Sequence, residues 1–165
     1  MYKKQTLTNN VRLLTIPLQE TQTASLVVLT KVGSRNESSR ISGASHFIEH
    51  LMFKGTKRRP TTLDLAKELD SIGAEFNAFT GKDLTAYFIK SDAKHLSLSV
   101  DVLADMLLHS KFDSQEITKE KGVIIEEINM YQDNPLMYVE NLLEQTIYGA
   151  TDPLGRLISG SRQTV

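Results

Sequence analysis

Residues 43–55 read GASHFIEHLMFKG. Within them stand two of the chain's four histidines, His46 and His50, four residues apart, with Glu49 beside the second. Phe47, Ile48, Leu51, Met52 and Phe53 surround them. On a helix, side chains four residues apart share one face, a single turn apart, and Glu49, three from His46, flanks that face. Two imidazoles so spaced can both reach one zinc ion at about 2 Å from their nitrogens. A nearby carboxylate that is not itself a ligand can take the proton of the water such an ion activates. The order H-x-x-E-H is the reverse of H-E-x-x-H and follows the same mechanical logic. A single histidine on an apolar face is ordinarily a satisfied core residue. Two histidines and a glutamate on one stripe are costlier, because an ionised carboxylate buried without a partner is strongly unfavourable. A metal site is the expected reading.

A catalytic zinc needs a third protein ligand and one open position. His95 and His109 lie in a helical segment whose apolar spacing, Leu96, Val100, Leu103 and Leu107, makes them rim or core residues. The segment ITKEKGVIIEEINM offers carboxylates instead. With Ile117 at zero and about 100° per residue, Ile124 and Ile128 fall near ~340° and ~20° and define the buried face. Glu127 and Glu120 fall near ~280° and ~300°, on its flank, and Glu126 near ~180°, facing solvent. Glu127 is therefore the ligand candidate. Glu120 lies about 10 Å away along the axis, too far to share the ion, and suits a supporting role, orienting a ligand histidine or the catalytic water; the alternative for it is an exposed salt bridge. Gly122, unfavourable within a helix by about 1 kcal/mol, is expected to mark close packing near the metal.

The elements that must hold these groups follow from period and punctuation. Residues 6–16 read as a hairpin about Asn9-Asn10, and 24–33 as an apolar strand. Ser42 or Ser45 is expected to cap the histidine-bearing helix, which Gly55 ends. Thr61 or Thr62 caps a second helix running to Gly73. AEFNAFT and DLTAYFIK form a second hairpin about Gly81-Lys82. Asp92 then caps a third helix, Asp113 or Ser114 a long fourth through about Gln132, and Pro135 opens a fifth reaching about Gly149. Hairpins with long amphipathic helices predict an α+β fold: a mostly antiparallel sheet covered on one face by helices, in two layers. The last stretch, YGATDPLGRLISGSRQTV, carries turn residues and no closing element, so residues 1–165 are expected to be the front part of a longer protein.

Composition narrows the chemistry. The formal net charge of −1 gives no bulk attraction to nucleic acid or anionic membrane. The basic run KGTKRRP, residues 54–60, reads as a solvated loop. With no cysteine, disulfides and thiolate metal sites are excluded, so imidazole and carboxylate must hold any metal. No apolar run is long enough to span a bilayer, and no apolar segment follows the lysines of MYKKQTLTNN, so a secretory signal is not expected. The cytoplasm is the default compartment.

His46-x-x-Glu49-His50 followed by Glu120 and Glu127 resembles the inverted-motif zinc peptidases of the pitrilysin family, which includes insulin-degrading enzyme and the mitochondrial processing peptidases. GASHFIEHLMFKGT, GAEFNAFTGKDLTAYF and KGVIIEEI resemble their counterparts there, and FKGT and NAFT favour the processing-peptidase branch and its bacterial relatives. The resemblance implies a zinc endopeptidase with Zn2+ on His46, His50 and Glu127, Glu49 as general base and Glu120 as a supporting carboxylate. It implies that 74–80 is an edge strand along which an extended peptide lies, contacting Phe76, Asn77, Ala78 and Phe79, with Asn77 and Ala78 near the scissile bond. The partners implied are a peptide or unfolded polypeptide and a homologous C-terminal half or second subunit, forming a dimer and supplying an arginine and a tyrosine to the reacting carbonyl. The chain would then be a truncated N-terminal zinc-binding catalytic domain, better suited to binding metal than to turnover by itself. The rival reading is a catalytically idle, metal-bearing subunit that binds peptides or supports an active partner. Inactive relatives of that family lose the H-x-x-E-H residues, and this chain keeps all three. A purely structural zinc site normally closes with four protein ligands, and only three strong ones stand out.

Overall fold

The structure, a computed structural model, describes residues 1–165. A short hairpin, β1 (Lys3–Thr6) and β2 (Arg12–Thr15), stands apart as its own two-stranded sheet. Its strands begin earlier and its loop is longer than the Asn9-Asn10 turn predicts, although Asn10 does adopt a left-handed φ of 66°.

The main sheet joins β3 (Thr23–Thr30), β4 (Glu75–Thr80) and β5 (Thr85–Asp92) in the antiparallel order β3-β5-β4. Side chains alternate across it, as the two-residue period of a strand requires. Leu26, Ile89 and Phe76 lie in register on one face, followed by Val28, Tyr87 and Ala78. Val27, Leu29 and Phe79 point to the other face and are exposed. β4 ends the order, so its outer margin is unpaired.

Helices cover the first of these faces. α1 (Ala44–Met52) and α2 (Thr62–Asp70) precede β4, and α3 (Leu96–His109), α4 (Ser114–Asp133) and α5 (Pro135–Tyr148) follow β5. The core gathers Leu65 and Leu69 of α2, Tyr87 and Ile89 of β5, and Val102, Leu103 and Met106 of α3. Thr61 caps α2 as expected, in a reciprocal pair with Asp64, and Asp113 and Asn134 cap α4 and α5. The architecture is the expected α+β arrangement of antiparallel strands under a layer of helices.

Three local expectations fail. The buried stripe of α3 is rotated from the predicted one: Leu96 and Val100 are exposed, while Ser99, Val102 and Met106 are buried. Asp92 caps a single turn, Ala93–His95, that precedes α3 and offsets its phase. Gly122 has no atom within 4 Å of a Cβ placed on it, so close packing is not its reason, and nothing in the structure explains it.

The basic run at 54–60 is the third. Its Arg59 is buried, and its guanidinium donates to Glu68 of α2 (2.6 Å) and to Asp101 and Asp105 of α3 (2.8 Å each). Thr56, fully buried, donates to Asp105 as well, at 2.6 Å. The fork and its three acids tie the loop after α1 to α2 and α3. Removing one partner of a buried ion pair strands the other charge, which costs about 3–5 kcal/mol. Arg59→Met is therefore expected to lower the thermal midpoint by about 10 °C in a domain of this size. A midpoint within about 2 °C of wild type would show that the network carries no such weight.

Candidate metal centre

α1 presents His46 and His50 toward α4, which carries Glu120 and Glu127 two turns apart. The Nε2 atoms of His46 and His50 lie 3.7 Å and 3.5 Å from the two oxygens of Glu127. One ligand atom from each of the three residues can be chosen with all separations within 4.8 Å. The edges of a zinc tetrahedron with bonds near 2 Å are about 3.3 Å long, so the two contacts to Glu127 need only slight contraction to share an ion.

The protonation of these groups suits the same purpose. Burial, and secondarily the neighbouring His50, holds His46 down to about 4, so its imidazole is neutral near pH 7 and has a lone pair to give. Burial pushes the Glu127 carboxyl up; His50 opposes this and Glu120 adds to it. A half-buried acid lifted in this way is short of positive charge, and a divalent cation would supply it. The Nδ1 of His46 is buried with no hydrogen-bond partner. Two imidazoles and one carboxylate form a donor set that zinc accepts.

Behind the set lies a supporting pair. Glu120 is almost wholly buried. One of its oxygens stands 2.8 Å from His50 Nδ1, and the other takes the Lys54 ammonium at 2.6 Å. Burial pushes Glu120 up, but the bonds from Lys54 and His50 outweigh it and hold the carboxyl below its ordinary range. Nδ1 of His50 must then carry the proton and donate, which leaves Nε2 free to bind metal.

Glu49 lies on the neighbouring flank of α1 and turns toward β4, where the Thr80 hydroxyl donates to its carboxylate. Burial raises its pKa; the Thr80 bond and His50 partly offset this, and Glu127 adds to it. His46, Glu49, His50 and Glu127 open into one cleft of about 360 Å³. Its walls are Ala78, Phe79 and Thr80 of β4, Tyr131 of α4, Tyr138 of α5, and the segment Leu157–Ser159.

Of the expected peptide contacts, Ala78 and Phe79 border the cleft. Asn77 points to the outer face of the sheet and Phe76 does not reach the cleft; its ring packs inward on Phe53 with centroids 6.3 Å apart. His95 and His109 lie away from the cluster, and the exposed His109 stands 3.3 Å from the buried Asp105 of its own helix. Sequence reasoning missed Lys54 and Thr80. Thr80 follows Phe76 and Ala78 on one face of β4, so period alone could have found it, whereas Lys54 lies beyond the end of α1 and meets Glu120 only through the packing of α1 on α4. It also missed the cap of α1. Neither Ser42 nor Ser45 caps it; Gly43 does, at φ 95°, with no side-chain bond of its own.

Comparison with known proteins bears on the family and the fold. Residues 12–161 match the family described as Insulinase (Peptidase family M16). The chain is 41% identical over 165 residues to YmxG, named an uncharacterized zinc protease, of Bacillus subtilis (strain 168), covering 100% of this chain and 40% of that one. It is 37% identical over 163 residues to a protein with the same description from Streptomyces coelicolor, covering 99% of this chain and 35% of that one. Among solved structures, a protease from Helicobacter pylori superposes with a TM-score of 0.90 at 31% identity, over 98% of this chain and 39% of that one. The chain thus spans about two fifths of the length of these relatives.

Proposed function

Because the chain belongs to the insulinase family of peptidases, family M16, we propose that it is the N-terminal, metal-bearing portion of a zinc endopeptidase that hydrolyses extended polypeptides. The observation that carries this reading is the convergence of His46, His50 and Glu127, with Glu49 beside them, at the floor of one cleft. Bound zinc supplies Lewis acidity, polarising a carbonyl and lowering the pKa of water toward neutrality. His46, His50 and Glu127 would hold it, and Glu120, braced by Lys54, would fix the tautomer of His50.

Glu49 serves as general base. Its carboxylate takes one proton from the attacking water as the water oxygen bonds to the peptide carbonyl carbon. The carboxyl so formed passes that proton to the amide nitrogen as the carbon–nitrogen bond breaks, which returns Glu49 to its starting state. Burial raises its pKa above the ordinary carboxyl value, which favours its return of the proton in the second half of the cycle. Thr80 donates to the carboxylate and orients it. The unpaired margin of β4 offers main-chain groups to which a substrate can add as a further strand.

A homologous second half or subunit is the proposed partner, and relatives more than twice as long as this chain support it. The processing-peptidase branch remains the proposed subfamily and the cytoplasm the proposed compartment. A cleavage assay on unstructured polypeptides, run with this chain and with the protein extended to the length of its relatives, tests the reading. Hydrolysis by the extended protein is expected to fall to background on chelation and return with one equivalent of zinc. Cleavage indifferent to chelator would overturn it, and zinc binding without cleavage by the extended protein would favour the idle subunit.

A further inference from the structure

Glu37 lies in the polar loop between β3 and α1, makes no contact with the metal-ligand set, and is nevertheless buried. Its two carboxylate oxygens accept the backbone N–H groups of Gly43 at 2.7 Å and Ser45 at 2.6 Å. The first N–H groups of a helix have no partner within it and attract negative charge. Here the acceptor comes from six and eight residues upstream instead of from the helix's own cap. Ser45 directly precedes His46, so the bond sits one residue from a ligand.

The main chain of Glu37 is engaged on the opposite side. Its carbonyl accepts from the Arg156 guanidinium, and the carbonyl of Arg156 accepts from Lys82. Close by, Gly43 and Gly160 meet backbone to backbone: a Cβ on Gly43 would stand 2.6 Å from the Ser159 oxygen, and one on Gly160 2.3 Å from that of Ser42. The same segment supplies Leu157, Ile158 and Ser159 to the cleft wall. A single residue thus grips the start of α1 with its side chain and the facing wall with its main chain.

We propose that Glu37 is a positioning residue for the metal centre, setting where α1, and with it His46, Glu49 and His50, stands against α4 and the cleft wall. This rests on the metal reading of the site. Glutamine in its place keeps the size but offers one acceptor and one donor, so its NH2 faces a backbone N–H and one of the two bonds is lost. With only nine residues in α1, a shift at its start carries through to the ligands.

The test is the zinc dissociation constant of the full chain, measured by competition with a chromophoric chelator well below each variant's thermal midpoint. Glu37→Gln is expected to weaken zinc binding about tenfold, as loss of a residue that orients ligands does. Leu69→Ala, a cavity in the core, serves as the control: it lowers the midpoint and leaves the constant within about twofold of wild type, since only the folded fraction is compared. A Glu37→Gln protein with a lowered midpoint and wild-type zinc affinity would reduce the residue to a structural role and overturn the proposal. Wild type that takes up no zinc would overturn the metal reading and this inference with it, a distinct result. If the glutamine variant does not fold, hydrogen exchange in wild type decides. The Gly43 and Ser45 amides are expected to be protected and to slow further when zinc binds, and indifference of both to zinc overturns the coupling.

Discussion

Glu49→Gln is expected to remove turnover from the extended protein while leaving one zinc per chain. The amide is isosteric and cannot accept a proton from water. General-base and general-acid steps each contribute about 10²–10⁴-fold to rate; because Glu49 is assigned both in succession, kcat should fall by about 10³-fold or more. KM should change far less, because the carboxylate's contacts are to Thr80 and to the reacting atoms. Zinc content should hold, since Glu49 is not among the three converging ligands. Kinetics with metal analysis on the same preparation separates the possibilities. Near-normal kcat would remove the base assignment, and loss of zinc with loss of activity would make Glu49 part of the metal shell.

The adjacent pair Glu126 and Glu127 gives the second large effect. Glu127→Ala is expected to weaken zinc by more than about 100-fold, beyond what loss of an orienting group does, because one of three ligands disappears. Glu126→Ala should change it by less than about twofold. Glu126 is exposed and bonds only the Asn129 amide, at 3.2 Å. The two sites differ by one residue and about 100° of helical rotation, so the comparison holds chemistry constant and varies only the face. Zinc titration of both variants, with His50→Ala as a reference for ligand loss, gives the order. Equal losses, or a larger one at Glu126, would place α4 the wrong way round.

The helical faces that make this comparison sharp are legible in the sequence. Histidines four apart and glutamates seven apart are local patterns, and a helix converts them directly into faces. The helical-wheel assignment of Glu120 and Glu127 to one flank of α4 matches their positions opposite α1. The caps of α2 and α4, and the start of α5 at Pro135, are readable for the same reason, since these signals act within a few residues. What escaped depends on partners distant in sequence. Arg59 looked solvated because its run is basic, and the acids that bury it belong to α2 and α3. Lys54 is one residue of that run and finds Glu120 only through the α1–α4 contact. The family resemblance groups Phe76 with Phe79, but alternation sends the two rings to opposite faces of β4. The start of α1 was assigned a local serine because nothing nearby identifies Glu37 as the group that reaches it.

A polypeptide adding to the unpaired margin of β4, as proposed above, would be met first by main-chain atoms, which nineteen of the twenty amino acids offer alike. Selection at that margin acts on pliability before it acts on identity. A segment locked into a helix or a tight domain has its own amides occupied and nothing to offer; the same segment, once unravelled, docks whatever its side chains. Proline is the one residue such a margin can refuse, because its nitrogen has no hydrogen to share and its ring crowds the seam. A cleavage map of one long unstructured protein should therefore scatter widely over composition yet skip the positions where proline would sit against β4.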